Sequence, residues 1–239
     1  MSVAITIADP TPVEEAVWAE AIALATLSPD WVLVGGLMVN LFALQHRILP
    51  VRATDDIDAL FRLETVAASV SDFGTVLAGR GYTVTNTDLV NNRSYRLTRD
   101  TPRTVVDVLI PRRKRAPRAR VTIVGSGTHP VAVAGGSEAL RHVEQVVVTC
   151  GATSGPLRRP SLTGALLMKS KAAVVDSIAQ RHREDLAVLY ACVDDPATIA
   201  AAIGTTDRAT LGAATPDWAG VDQEFRADAQ LAHRGITGT

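Results

Sequence analysis

The chain has 239 residues, 47% of them hydrophobic and 21% charged, and a formal net charge of −1. That length suits one large domain or two small ones around a sizeable core, and the composition excludes global disorder. No segment approaches the roughly 18 uncharged apolar residues of a membrane span, and no signal-peptide pattern opens the chain, so a cytoplasmic protein without membrane contact is expected.

In chain order, residues 12–27 read as a helix, with Pro12 in its first turn and Glu14, Glu15 and Glu20 among alanines and leucines. The apolar run 31–34 is expected to be a buried strand. Gly35-Gly36 then opens a helix that reaches residue 47. A strand over 56–62 and a helix over 64–79 follow, the latter closed by Gly79-Arg80-Gly81. Residues 82–87, 93–98 and 104–110 read as three β segments, with more β character at 121–124 and 143–149. From Ser161 the pattern turns helical, over 161–178 and 182–193, ahead of shorter alanine-rich pieces and a polar tail. The expected fold class is α/β (α+β). A mixed sheet with flanking helices would occupy residues 1–155, and a helical C-terminal part residues 156–239.

The small net charge hides an asymmetry. Six of the 24 basic residues, Arg112, Arg113, Lys114, Arg115, Arg118 and Arg120, fall in one stretch, and the other 18 face 25 acidic residues. A cationic cluster on an otherwise acidic chain can recruit a polyanion without making the whole surface adhesive. A solvated loop is the plainer reading of the same run. Cys150 and Cys192 lie far apart, show no metal-ligand spacing, and read as buried thiols in a reducing compartment. The five histidines show no zinc-ligand spacing either, and neither a covalent-hydrolase motif nor a P-loop is present.

The chemistry concentrates in Arg52-Ala53-Thr54-Asp55-Asp56-Ile57-Asp58. Strand alternation puts Asp56 and Asp58 on one face and Ile57 and Ala59 on the other. Neighbouring carboxylates repel, and a divalent cation relieves the repulsion. Gly35-Gly36 lies 21 residues ahead of Asp56 and can turn backbone N–H groups to a phosphate at the positive end of a helix. The steric alternative is a tight strand–helix turn that only glycine fits. A third carboxylate, Asp107, interrupts the apolar run 105–110. Buried alone it would be costly, so it needs a partner or a place at the sheet rim. Beside strand 56–62 it would complete a trio able to hold Mg²⁺ and, through it, a triphosphate. Arg52 is placed to bind phosphate or pair with an aspartate, and Thr54 to brace the loop.

Gly35-Gly36, then Arg52-x-Thr54-x-Asp56-Ile57-Asp58, then a lone strand aspartate resembles the DNA polymerase β-like nucleotidyltransferase superfamily. Within it the wording is most similar to the AbiEii/AbiGii type of toxin nucleotidyltransferase, which includes the MenT toxins. That family carries a downstream helix with a lysine, then an Arg/Lys-x-Asp-Leu stretch. Leu166-Leu167-Met168-Lys169-Ser170-Lys171-Ala172-Ala173 resembles the first and Arg183-Glu184-Asp185-Leu186 the second, so the likeness spans residues 33–189. Lys169 takes the lysine's place, with Lys171 close enough to compete for it, and Asp185 takes the acidic position.

The resemblance implies a nucleotidyltransferase-like fold and Mg²⁺-dependent transfer of a nucleoside monophosphate from an NTP to a hydroxyl. Asp56, Asp58 and Asp107 would bind metal and, with Lys169 and Asp185, form the catalytic group. Gly35, Gly36, Arg52, Thr54 and Lys169 would bind the nucleotide. It further implies the toxin of a toxin–antitoxin pair, an antitoxin protein encoded nearby, and RNA such as the tRNA 3′ end as acceptor. Arg112, Arg113, Lys114, Arg115 and Arg118 would bind that RNA. The alternatives are transfer to a protein hydroxyl (AMPylation), transfer to a small molecule such as an aminoglycoside, or an inactive binding module of the same fold.

Overall fold

A computed structural model describes residues 3–48, 53–62, 66–88, 93–112, 130–175 and 179–238. The fold is mixed α/β. Its larger sheet has the strand order β2 (Trp31–Val34), β3 (Asp56–Phe61), β6 (Arg103–Pro111), β5 (Arg93–Asp100), β4 (Thr83–Asp88), with β7 (Val131–Val133) beside the end of β6. β3 and β6 run parallel, whereas β2 and β5 are antiparallel to their neighbours. A smaller sheet joins β1 (Val3–Ile7), β8 (Val143–Cys150) and β9 (Thr153–Pro160).

Local chemistry explains the first helix well. α1 (Pro12–Leu27) begins at Thr11, whose hydroxyl accepts the Glu14 N–H while the Glu14 carboxylate accepts the Thr11 N–H at 2.9 Å. This reciprocal cap satisfies two otherwise orphaned donors. α2 (Gly35–Gln45) follows β2 without a linker, because Gly35 adopts φ +70 and turns the chain within one residue.

The two faces of the larger sheet are covered differently. Ile57, Ala59, Phe61, Val106 and Val108 pack with α1, with Val70, Phe73 and Leu77 of α3 (Val66–Gly79), and with Ile5, Val146 and Leu157 of the smaller sheet. On the other face, Val32, Val34, Leu60 and Leu109 meet α4 (Gly136–Arg141) and Met168 of α5 (Leu162–Val175). A third cluster gathers Met38, Val39 and Phe42 of α2 with α5, α6 (Ala179–Ala191), α7 (Pro196–Ala202), α8 (Thr205–Ala213) and α9 (Gln223–Thr237). α2 is therefore apolar on nearly all sides and joins the sheet to the helices.

Two buried charges reinforce these joints. Arg159 of β9 is buried, donates from Nε to Glu144 Oε1 at 2.8 Å and from Nη2 to Gln45 of α2, and lies 3.7 Å from the Phe42 ring centre. Glu20 of α1 accepts both arms of Arg80 and one of Arg99. Burial pushes the Glu20 carboxyl up, but the hydrogen bonds and charges of Arg80 and Arg99 outweigh it and hold it below its ordinary value.

The expected division at residues 155/156 falls inside β9, which pairs along its whole length with β8, so the helical part begins with α5. Among the described residues no helix is long and apolar enough to cross a membrane. Cys150 and Cys192 are buried and unbridged.

Candidate active site

Strand register assembles one row of side chains across four strands. Val34 of β2 lies opposite Asp58 of β3, Asp58 opposite Asp107 of β6, and Asp107 opposite Arg96 of β5. The pleat places Asp56, two residues before Asp58, on the same face. This is the face that continues into Leu60 and Leu109 beneath α4 and α5. The expected trio of Asp56, Asp58 and Asp107 is thus gathered on one side of two adjacent strands.

Like charges directly opposite each other destabilise a sheet, so the row needs cations. Arg96 supplies one. Its Nε donates to Asp107 Oδ1 at 2.8 Å and its Nη2 to Asp107 Oδ2 at 2.7 Å, while Nη2 also reaches Asp56 Oδ2 at 3.0 Å. The two-pronged contact with Asp107 is the strong, charge-assisted geometry that only arginine offers. Sequence reasoning missed Arg96. Its only local signal is an arginine on a strand next to one bearing a lone aspartate.

Lys169 supplies the second cation. It is buried on α5, and its Nζ donates to Asp185 Oδ2 of α6 at 2.5 Å. It also acts on Asp58. Burial, together with the charges of Asp107 and Asp56, pushes the Asp58 carboxyl up to about 7 against the lowering pull of Lys169 and Arg96. Lys171, the competing lysine, turns away and pairs with Glu138 of α4 at 2.6 Å. Of the two lysines, Lys169 is the one beside Asp58.

Glycine is required where the backbone meets this row. A Cβ on Gly35 would lie 1.7 Å from Asp58 Oδ2, and one on Gly36 would lie 2.9 Å from the Thr54 side chain. The start of α2 is thus pressed against Asp58 and Thr54, and its first N–H groups lack helical partners. A second glycine pair, unread in the sequence, does similar work: Gly135, at φ +74, brings the start of α4 so close to α5 that a Cβ would lie 2.4 Å from Met168 Cα. That contact fixes the backbone one residue before Lys169.

Arg52, Arg113, Lys114, Arg115 and Arg118 lie outside the described residues. Arg112 follows β6, and its N–H donates to the Val133 carbonyl at 2.9 Å.

No protein-family model, curated protein or solved structure matches this chain. The site must be read from its own chemistry.

Among the described residues, the carboxylates of Asp56, Asp58, Asp107 and Asp185 stand with the cations Arg96 and Lys169. Hard carboxylate oxygens are the donors that Mg²⁺ takes. Yet among the described residues no three His, Cys, Asp or Glu side chains are arranged to hold a metal ion. Arg96 pairs with both Asp107 and Asp56. The donors fit such an ion in kind, and Arg96 hydrogen-bonds two of them.

Proposed function

We propose that the protein is a nucleotidyltransferase that moves a nucleoside monophosphate from an NTP onto a hydroxyl. A bond forms between the acceptor oxygen and the α-phosphorus as the α–β phosphoanhydride bond breaks. Pyrophosphate leaves, and the hydroxyl proton passes to a carboxylate of the site or to solvent. The observation that carries this reading is the cross-strand Asp58–Asp107 pair with Asp56 beside it, enclosed by Lys169 and the glycine start of α2.

Asp56, Asp58 and Asp107 would hold Mg²⁺, which when bound offsets phosphate charge and polarises the α-phosphate. Lys169, immobilised by Asp185, adds a fixed positive charge beside Asp58 for the triphosphate. The N–H groups at the start of α2 point where a phosphate is favoured by the helix dipole. Positioning and charge are the main demands of phosphoryl chemistry, and these groups supply both. The resemblance noted above extends the reading to an RNA acceptor, such as the tRNA 3′ end, and to the toxin of a toxin–antitoxin pair.

Incubation with α-labelled NTPs, Mg²⁺ and total RNA tests the proposal. Label should appear on RNA with wild type and vanish with Asp58→Ala. Equal labelling by Asp58→Ala would sink the assignment of the site, and label on protein or small molecules instead would move the acceptor.

A further inference from the structure

The proposed reaction gives Arg96 no role, although its guanidinium touches two of the three carboxylates of the trio. Asp107 accepts on both oxygens, from Nε at 2.8 Å and from Nη2 at 2.7 Å, and Nη2 also reaches Asp56 Oδ2 at 3.0 Å. A planar fork fixes the plane of the carboxylate it meets, whereas a point charge leaves that plane free to turn. Asp56 lies on β3 and Asp107 on β6, so the same group also ties the carboxylates of two strands together. We propose, resting on the reading above, that Arg96 is a positioning residue of the transfer reaction, which orients Asp107 against Asp56 instead of only cancelling their charge.

The backbone around Arg96 supports this independently. β5 pairs with β6 in regular register from Arg96 opposite Asp107 to Asp100 opposite Arg103, but its pairing with β4 is irregular on both sides of Arg96. Between the Val84–Leu97 and Asn86–Arg96 pairs, β4 carries an extra residue, Thr85. Between the Asn86–Arg96 and Thr87–Ser94 pairs, β5 carries an extra one, Tyr95. Irregularities of this kind re-aim a side chain and are over-represented next to active sites. The fork also leaves Asp107 able to work. An ionised carboxylate has about four lone-pair sites on its two oxygens. Arg96 takes one on each Asp107 oxygen, so each keeps another that an acceptor hydroxyl can use. Arg96 can therefore stay in place throughout the reaction. A reacting group held about 1 Å out of place costs about 10²-fold in rate, which sets the scale of what losing the fork should do.

Arg96→Lys separates orientation from charge, because it keeps the cation but cannot fork across two oxygens. In the α-labelled NTP assay with total RNA it should lower kcat by about 10- to 100-fold and leave KM for the NTP within about twofold of wild type, since Lys169 and the start of α2 are untouched. Arg96→Ala should regain part of its kcat from free guanidinium at concentrations that do not unfold it, and not from methylammonium. The Arg96 side chain is 35% exposed, so a small cation can reach its place. A readout independent of activity is the Arg96 Nε–H resonance of the nucleotide-free protein, assigned through bonds from its backbone. It should be protected from solvent exchange in wild type and lose protection in Asp107→Ala, or in Asp107→Asn if the alanine variant does not fold. Three results overturn the positioning role and leave the transferase reading standing: full kcat in folded Arg96→Lys, equal rescue by the two cations, or an unprotected Nε–H in wild type. Should wild type transfer label to no RNA, protein or small-molecule acceptor, both fall.

Discussion

Gly35→Ala puts the closest contact of the site under direct test. Two separate penalties follow from the structure. Residue 35 sits at φ +70, and a non-glycine residue there costs about 1–2 kcal/mol. Its Cβ would also lie 1.7 Å from Asp58 Oδ2, where ordinary contact begins at 3.4 Å. Relieving that overlap displaces the Asp58 carboxylate or the start of α2, at about 1–3 kcal/mol for an overpacked position. Gly35→Ala should therefore destabilise the protein by about 2–5 kcal/mol. The two penalties separate in a double-mutant cycle. With Asp58→Ala the clash with the carboxylate is gone and a 3.0 Å approach to the remaining Cβ persists beside the backbone strain, so Gly35→Ala should then cost clearly less than in wild type. Urea denaturation of the four proteins, read by circular dichroism, measures the coupling. Strict additivity would refute the reasoning, because it would mean that Gly35 and Asp58 do not touch.

The remaining predictions concern the pairs around the site and in the core. Lys169→Met should lose transfer activity and about 3 kcal/mol of stability, because it breaks a buried ion pair; Lys171→Met, whose partner is Glu138, should stay within about 1 kcal/mol of wild type and keep activity. Reversed results in paired melting and labelling assays would reassign the site lysine. Glu20→Gln should destabilise by about 2–3 kcal/mol, less than a fully buried pair because Arg80 is partly exposed. The folded Glu20 carboxyl titrates below its ordinary value, so its stabilising contribution is complete above that value and fades as pH falls through the lower folded one. An acid-unfolding profile of Glu20→Gln identical in shape to that of wild type would contradict this. Burial pushes the Cys192 thiol up to about 12, so a thiol reagent at pH 8 should leave it unmodified in the native protein and label it after denaturation. Rapid native labelling at Cys192 would show that the α6 end is open.

Much of the framework was legible because local chemistry dictates it. Thr11, Pro12 and Glu14 start α1 at the residue the pattern indicates, and the apolar run at β2 feeds directly into the glycine-opened α2. β9 was not legible. Its sequence, with Gly155, Pro156, Arg158 and Arg159, carries no strand pattern, and it pairs along its length with β8. β1 was hidden for a similar reason, since its partner β8 is remote in the chain. The polar tail contains α9, whose inward residues Ala229, Ala232 and Ile236 recur at helical spacing, but two of the three are alanines and the apolar stripe is thin.

The site divides along the same line. Asp56 and Asp58 declare themselves by alternation, and Asp107 by its intrusion into an apolar strand. Arg96 does not, because its role arises from the β5–β6 register, which places it opposite Asp107. Lys169 and Lys171 are equivalent as text. Only the orientation of α5, set by the close approach of Gly135, sends one toward Asp58 and the other toward Glu138.

The most direct test of the central claim follows both ends of the triphosphate in one reaction. Wild-type protein is incubated with Mg²⁺, acceptor RNA, and NTP labelled in parallel at the α- or the γ-phosphate. The account expects α-label on the acceptor and γ-label in pyrophosphate, in equal amounts. Transfer of γ-label to the acceptor, or release of γ-label as orthophosphate without acceptor labelling, would contradict it.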